Sequence, residues 1–375
     1  IPMDDWSQEA DPDRTAGALA RRVSGRTAPD AGALTALADR LSAAQHPVFV
    51  AGPEIDSSGG WDAAVALAEK QRLPVWASPA TGGIRLGFPE GHPNFRGVLP
   101  PAIGPVGQTL EGHDLIVVAG TSVFPYYPHI PGPLLPEGAK LVAITSDPDE
   151  AVRAPMGEAI VADVGLTLAA LLEAVPDSSR QAPEPNPGPQ EIPASDPLNS
   201  STVHSALAEV FPEDGIVVLE SPASTLALRN QLRLSRPGGY YFSSGGGLGF
   251  GLPASIGVQL AQPDRPVVCV LGEGSAQYAI TGLWTAAAYG VPVTFLILNN
   301  SEYAILKWFA EIEQVDGAPG LDLPQMDVAA VAAGYGVASR RVEGRDEVRE
   351  ALSQALSSSS PELIEVPVAA GMSLF

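Results

Sequence analysis

Glu273 and Asn300 each follow directly on an apolar run, and their residue types suit the binding of a hard cation. A carboxylate and an amide oxygen in one pocket are donors that Mg2+ or Ca2+ prefers, and such an ion also holds phosphate groups. Gly272 and Gly274 flank Glu273, so main chain there can approach a phosphate closely. The two polar residues are 27 positions apart, the length of one strand–helix–strand unit. The runs at 267–271 and 293–298 read as its strands and 279–288 as its helix. In a parallel sheet both residues then emerge at the carboxyl ends of neighbouring strands, where open α/β sheets bind ligands. Two ordinary loops whose polar residues cap helices fit the pattern equally well.

The elements that must position this pair recur along the chain. Short β-branched runs at 48–51, 75–77, 115–119, 141–145 and 159–161 alternate with helix-spaced segments at 31–44, 61–71 and 166–173. The pattern returns at 216–219, 267–271, 293–298 and 363–366. Near-continuous apolar strands separated by helices argue for parallel sheets covered on both faces. Between the two halves, residues 176–197 hold seven prolines, which remove backbone donors and fix φ. The expected fold class is therefore α/β, with two doubly wound parallel-sheet domains joined by a Pro-rich linker. The expected boundaries are a lead-in at 1–23, a central domain at 24–176, the linker at 177–197 and a second domain at 198–375.

Composition excludes several functions. A formal charge of −22 with only three lysines (Lys70, Lys140, Lys307) leaves no basic patch for nucleic acid or anionic lipid. Cys269, the single cysteine, lies inside an apolar run and reads as a buried structural thiol. The five histidines show no HxxxH or HExxH spacing, so zinc chemistry has no support. Neither half carries the GxGxxG or GxxxxGK[ST] glycines, which disfavours simple NAD or ATP binding. No apolar run reaches the ~20 residues of a membrane span, and the opening residues lack the pattern of a signal peptide, so a cytoplasmic protein is expected.

Longer motifs carry a resemblance. GEG from Gly272 followed by NN ending at Asn300 is similar to the GDG…NN signature of thiamine-diphosphate-dependent enzymes. GGLGFGLPASIGVQLA from Gly246, SAQYAITGLWTAAAYGVPV from Ser275 and EYAILKWF from Glu302 resemble the benzoylformate decarboxylase branch of that family. PMDDW from Pro2, LEGHDLIVVAG from Leu110 and RAPMGEAIVADVG from Arg153 do so too, covering essentially the whole chain. The resemblance implies that Glu273, Asn300 and the main-chain carbonyl of Glu302 hold Mg2+ (or Ca2+), which bridges to the diphosphate of thiamine diphosphate. It places Gly274 and Ser275 against the phosphates and Gly246 and Leu248 at the aminopyrimidine, with Leu248 bending the cofactor. Tyr303 would stand beside the thiazolium, and Phe242, Ile305, Leu306 and Phe309 would wall the substrate pocket. The implied reaction is nonoxidative decarboxylation of an aromatic or apolar 2-oxo acid, in a homodimer or homotetramer. The motifs also suit an acetolactate-synthase-like carboligase, and a non-catalytic binding or scaffold relative is the alternative of another class.

The chain departs from the family pattern at several positions. Glu273 replaces the aspartate of GDG, and its extra methylene displaces the carboxylate. A Thr-Ser pair that holds the diphosphate in the family corresponds to Pro222-Ala223, leaving Ser221 or Ser224 to substitute. A proton-relaying histidine corresponds to Tyr127, with His129 two residues away. These two are weak catalytic candidates. Ile305 stands where a small residue is usual. The chain also starts where the family's pyrimidine-binding domain would end, so that domain is expected in cis or in trans.

Overall fold

The computed structural model describes residues 2–22, 24–79, 84–124, 129–193, 195–324 and 326–372. Two six-stranded sheets dominate it. The first contains β1 (Pro47–Ala51), β2 (Val75–Ala77), β3 (Phe95–Val98), β4 (Leu115–Ala119), β5 (Lys140–Thr145) and β6 (Glu158–Val161), ordered β3-β2-β1-β4-β5-β6. The second contains β7 (Ile216–Glu220), β8 (Tyr240–Phe242), β9 (Val267–Gly272), β10 (Val293–Asn299), β11 (Ala338–Arg341) and β12 (Glu362–Pro367), ordered β11-β12-β10-β9-β7-β8. Every strand pairing in both sheets is parallel, as the uninterrupted apolar runs imply.

Alternation along each strand feeds two cores. In the second sheet Val217, Leu219, Val268, Val270, Leu296 and Leu298 face one apolar cluster, while Ile216, Val218, Cys269, Leu271, Phe295 and Ile297 face the other. Helices Ser200–Val210 and Arg345–Leu356 cover the first face, and Gly251–Ala261, Gly282–Tyr289 and Val328–Gly334 the second. Cys269 is wholly buried and burial pushes its thiol up, so it packs and does not react.

Three strands went unforeseen in the sequence: β3 (FRGV), β8 (YYF) and β11 (ASRR). Each lies at a sheet edge, where one side meets no further strand and no continuous apolar run is needed. The crossover helix between β9 and β10 is also broken in two. Glu273–Gln277 is followed by tight turns and then by Gly282–Tyr289, where one helix at 279–288 was expected.

Among the described residues of 176–199 there is no helix or strand, yet this segment is tied down. Arg180 donates to the carbonyls of Leu41, Ala44 and Gln71, and Asn186 Nδ2 donates to Glu90 O at 2.9 Å. A buried ion pair joins the two sheet units directly, with Arg229 2.7 Å from Glu90 and side chains 4% and 1% exposed. Trp61 and Leu86 add apolar contact to the core of the second sheet.

Candidate functional site

The second sheet turns its chain order around at β7 and β9, since β8 lies on one side of β7 and β9 on the other. Clefts of open α/β sheets form at the carboxyl ends of strands at such a point. A cleft of about 560 Å3, part of it continuous with solvent, opens there. Its lining comes from the ends of β7 (Ser221, Ser224), β9 (Glu273, Gly274, Ser275) and β10 (Asn300, Glu302, Tyr303), with Leu248, Ile305 and Val368 as apolar walls. Pairing of Leu298 with Gly272 sets Glu273 and the Asn299–Asn300 turn at the same height.

Glu273 is 1% exposed and spans from β9 to the turn after β10. Its Oε1 accepts from Glu302 N–H at 3.0 Å and its Oε2 from Asn300 N–H at 3.3 Å. Asn300 Oδ1 accepts from the same Glu302 N–H at 3.2 Å, so the carboxylate and amide oxygens converge on one point. Burial pushes the Glu273 pKa above the ordinary carboxylate range, against the pull of these backbone N–H groups. No arginine, lysine or histidine among the described residues pairs with it. Glu302 faces away from this point, toward Lys307 and the Gly371 N–H at 2.6 Å.

The adjacent asparagines divide two tasks. Asn299 turns inward, where its Nδ2 donates to Glu365 Oε1 at 2.6 Å and to Met326 O at 3.0 Å. Glu365 is wholly buried, so Asn299 ties β10 to β12, while Asn300 opens to the cleft. Gly274 has to be glycine: a Cβ there would lie 2.5 Å from Tyr303 Cε1 and 2.9 Å from Leu323 Cδ1. Tyr303 is thereby stacked onto the backbone beside Glu273.

The glycine-rich segment before the helix Gly251–Ala261 is anchored by Glu220, the last residue of β7. This carboxylate is 2% exposed and accepts the N–H of Gly249 and, at 2.5 Å, that of Gly251. Leu248, next to Gly249, is half-buried and lines the cleft. Gly246 has φ +65° and is exposed, outside the lining.

Of the expected pocket walls, only Ile305 lines the cleft. Phe242 packs against the second sheet's core, and its N–H donates to Ile84 O at 3.1 Å. Leu306, 48% exposed, lies about 100° round the helix Ala304–Ile312 from Ile305, whereas Phe309 shares the face of Ile305 one turn further along, stacked edge-on to Trp308 and beyond the cleft lining. His129 is exposed, and Tyr127 lies outside the described residues.

A model of the thiamine pyrophosphate enzyme C-terminal TPP binding domain matches residues 223–366, and one of the central domain matches 34–171. The chain belongs to the thiamine pyrophosphate enzyme family. It is 47% identical to the benzoylformate decarboxylase of Pseudomonas aeruginosa over 98% of its own length and 69% of that protein's. The solved 4-hydroxybenzoylformate decarboxylase of Rhodococcus jostii RHA1 superposes with TM-score 0.93 at 42% identity, covering 100% of this chain and 70% of the other. Benzoylformate decarboxylase from Polynucleobacter necessarius gives TM-score 0.92 at 36% identity, with the same coverage. The large subunit of acetolactate synthase isozyme 1 from Escherichia coli is more distant, 27% identical over 88% of this chain and 59% of its own. In this thiamine pyrophosphate enzyme, no described helix is long and apolar enough to cross a membrane.

Sequence reading missed Glu220 and the inward role of Asn299. The paired NN was visible, but nothing in it says which asparagine turns inward. Glu220 was visible as an acidic residue ending an apolar strand, the same signal that marked Glu273.

Proposed function

We propose that this chain supplies the central and diphosphate-binding parts of an enzyme that decarboxylates an aromatic or otherwise apolar 2-oxo acid with thiamine diphosphate and Mg2+. The observation that carries the proposal is the convergence of Glu273 Oε1 and Asn300 Oδ1 on one N–H within the cleft. Burying a carboxylate without a counter-cation costs several kcal/mol. A divalent ion shared with a diphosphate supplies that countercharge, and each carboxylate oxygen keeps a lone pair beyond its N–H bond. The donors are all oxygen, which fits Mg2+ or Ca2+. Glu273, Asn300 and the carbonyl of Glu302 are the proposed ligands.

The cofactor, when bound, supplies the electron sink for loss of CO2 from a 2-oxo acid. This chain's residues bind and orient. Leu248 props the bound group, held in place by the Glu220 anchor, and Gly274 with Ser275 lies against phosphate. Ile305 and Val368 exclude water, and a low-dielectric wall disfavours the charged carboxylate relative to its neutral product. Exposed Leu306, outside the cleft, is the side chain offered to a second subunit of a homodimer or homotetramer. A pyrimidine-binding domain, in the same polypeptide or another, completes the site. The stronger likeness to benzoylformate decarboxylase than to acetolactate synthase favours decarboxylation over carboligation.

The test is product analysis on the protein together with its pyrimidine-binding domain. CO2 release from benzoylformate, dependent on thiamine diphosphate and abolished by a chelator, supports the proposal. Acetolactate from pyruvate without turnover of benzoylformate replaces it with the carboligase, and cofactor binding without either product replaces it with the scaffold.

A further inference from the structure

Behind the cleft, three polar side chains form a line that no apolar packing explains. His204, on the helix Ser200–Val210, is wholly buried, with its Nε2 3.1 Å from Ser224 Oγ. Ser224 Oγ is in turn 2.9 Å from Ser221 Oγ. Both serines line the cleft and His204 does not. Among the described residues His204 Nδ1 has no hydrogen-bond partner, so the ring's one hydrogen bond runs to the serine.

The direction of these bonds follows from counting donors. Burial holds the His204 pKa down to about 3, so the ring is neutral and carries one N–H. A buried N–H without an acceptor is rarer and costlier than a bare acceptor nitrogen, which assigns the proton to Nε2. Nε2–H then donates to Ser224 Oγ. The Ser224 hydroxyl donates onward to Ser221 Oγ at 2.9 Å, in preference to the Ser221 carbonyl at 3.4 Å. The Ser221 hydroxyl proton is left without an acceptor among the described residues, at the wall of the cleft. Donors aligned in series polarise one another, so the last is the strongest.

We propose that His204 is a positioning residue which, through Ser224, commits the Ser221 hydroxyl to donate to the diphosphate of the bound cofactor. The inference rests on the cofactor reading under Proposed function. It accounts for how the site retains a side-chain donor although Pro222 and Ala223, between the two serines, have none.

Calorimetric titration of inorganic pyrophosphate with Mg2+ into wild type, Ser221→Ala, Ser224→Ala, His204→Phe and His204→Gln tests it, with thermal unfolding in parallel. Expected is a Kd about tenfold weaker for Ser221→Ala, the size of one hydrogen bond to a charged group. Ser224→Ala and His204→Phe lose a smaller factor, about twofold to threefold, because the Ser221 hydroxyl remains but is no longer held as a donor, and combining either with Ser221→Ala loses no more than Ser221→Ala alone. His204→Gln, whose amide N–H replaces Nε2–H, restores wild-type affinity. A merely structural histidine lowers the unfolding temperature and leaves Kd alone. If His204→Phe does not fold, Ser224→Ala interrupts the same line. Wild-type affinity in Ser221→Ala, or in both Ser224→Ala and His204→Phe, overturns the inference while the cofactor reading stands. Failure of wild type to bind pyrophosphate removes both.

Discussion

Replacing Glu220 by glutamine weakens the anchor of the glycine-rich segment without changing the side chain's length. The carboxylate gives each of two N–H groups, Gly249 and Gly251, its own oxygen. Glutamine offers one oxygen and one N–H2, so one bond survives and the other becomes a donor facing a donor. A hydrogen bond to a charged group contributes about 1.5–3 kcal/mol, so the loss is about 2 kcal/mol. Gly245, Gly246 and Gly247 have no neighbour within reach of an added Cβ, so the part of the segment before Phe250, which packs on the core, opens without unpacking it. The deficit therefore falls on local opening. Hydrogen exchange of the peptide covering 243–251 should become about 30-fold faster, at 1.4 kcal/mol per tenfold, while β9 and β10 keep their protection. Cofactor affinity should fall with it, because Leu248 precedes Gly249. Unchanged exchange at 243–251, or equal loss throughout both sheets, refutes the anchoring role.

The two asparagines should separate cleanly: Asn299→Ala costs about 1–3 kcal/mol in denaturant unfolding, because Oε1 of buried Glu365 loses its short hydrogen bond while Oε2 keeps the Ala329 N–H, whereas Asn300→Ala weakens cofactor binding and barely moves stability. Gly274→Ala must push Tyr303 aside, since the new Cβ falls 2.5 Å from Cε1. It should cost about 1–3 kcal/mol by thermal unfolding and weaken the calorimetric Kd for the cofactor. Asp163 caps the helix Val164–Ala174 and takes two bonds from Arg26, whose guanidinium holds its carboxyl below the usual range. Its stabilisation is present above the unfolded carboxyl pKa and lost as pH falls through the lowered one, so Asp163→Ala costs about 1 kcal/mol at pH 7 and the difference from wild type shrinks in acid. Arg229→Met leaves Glu90 buried and unpaired between the two units and should cost about 3–5 kcal/mol in equilibrium unfolding.

The central strands were legible in the sequence because burial on both faces demands unbroken apolar runs such as 267–271 and 293–298. The edge strands were not, because β3 carries Arg96 and β11 carries Arg340 and Arg341 without penalty where no further strand pairs. Glu273 and Asn300 were found because chain spacing alone places them at adjacent strand ends. The line from His204 to Ser221 was invisible, since it joins residues brought together by a helix packed across the sheet. The pocket-wall reading of Phe242, Leu306 and Phe309 followed from the resemblance and their apolar type, and only local packing shows which of these side chains line the cleft of this chain. Tyr303 and Leu248 were placed by motif, yet the reason for each, a Gly274 without room for a Cβ and a Glu220 anchor, needs coordinates.

The most direct measurement is crystallography of the protein with thiamine diphosphate and Mn2+ in place of Mg2+, read by anomalous scattering. One manganese peak should lie about 2.2 Å from an oxygen of Glu273, Asn300 Oδ1 and the carbonyl of Glu302, and touch the diphosphate. A diphosphate bound in this cleft with no peak there, or a peak ligated by other residues, contradicts the assignment.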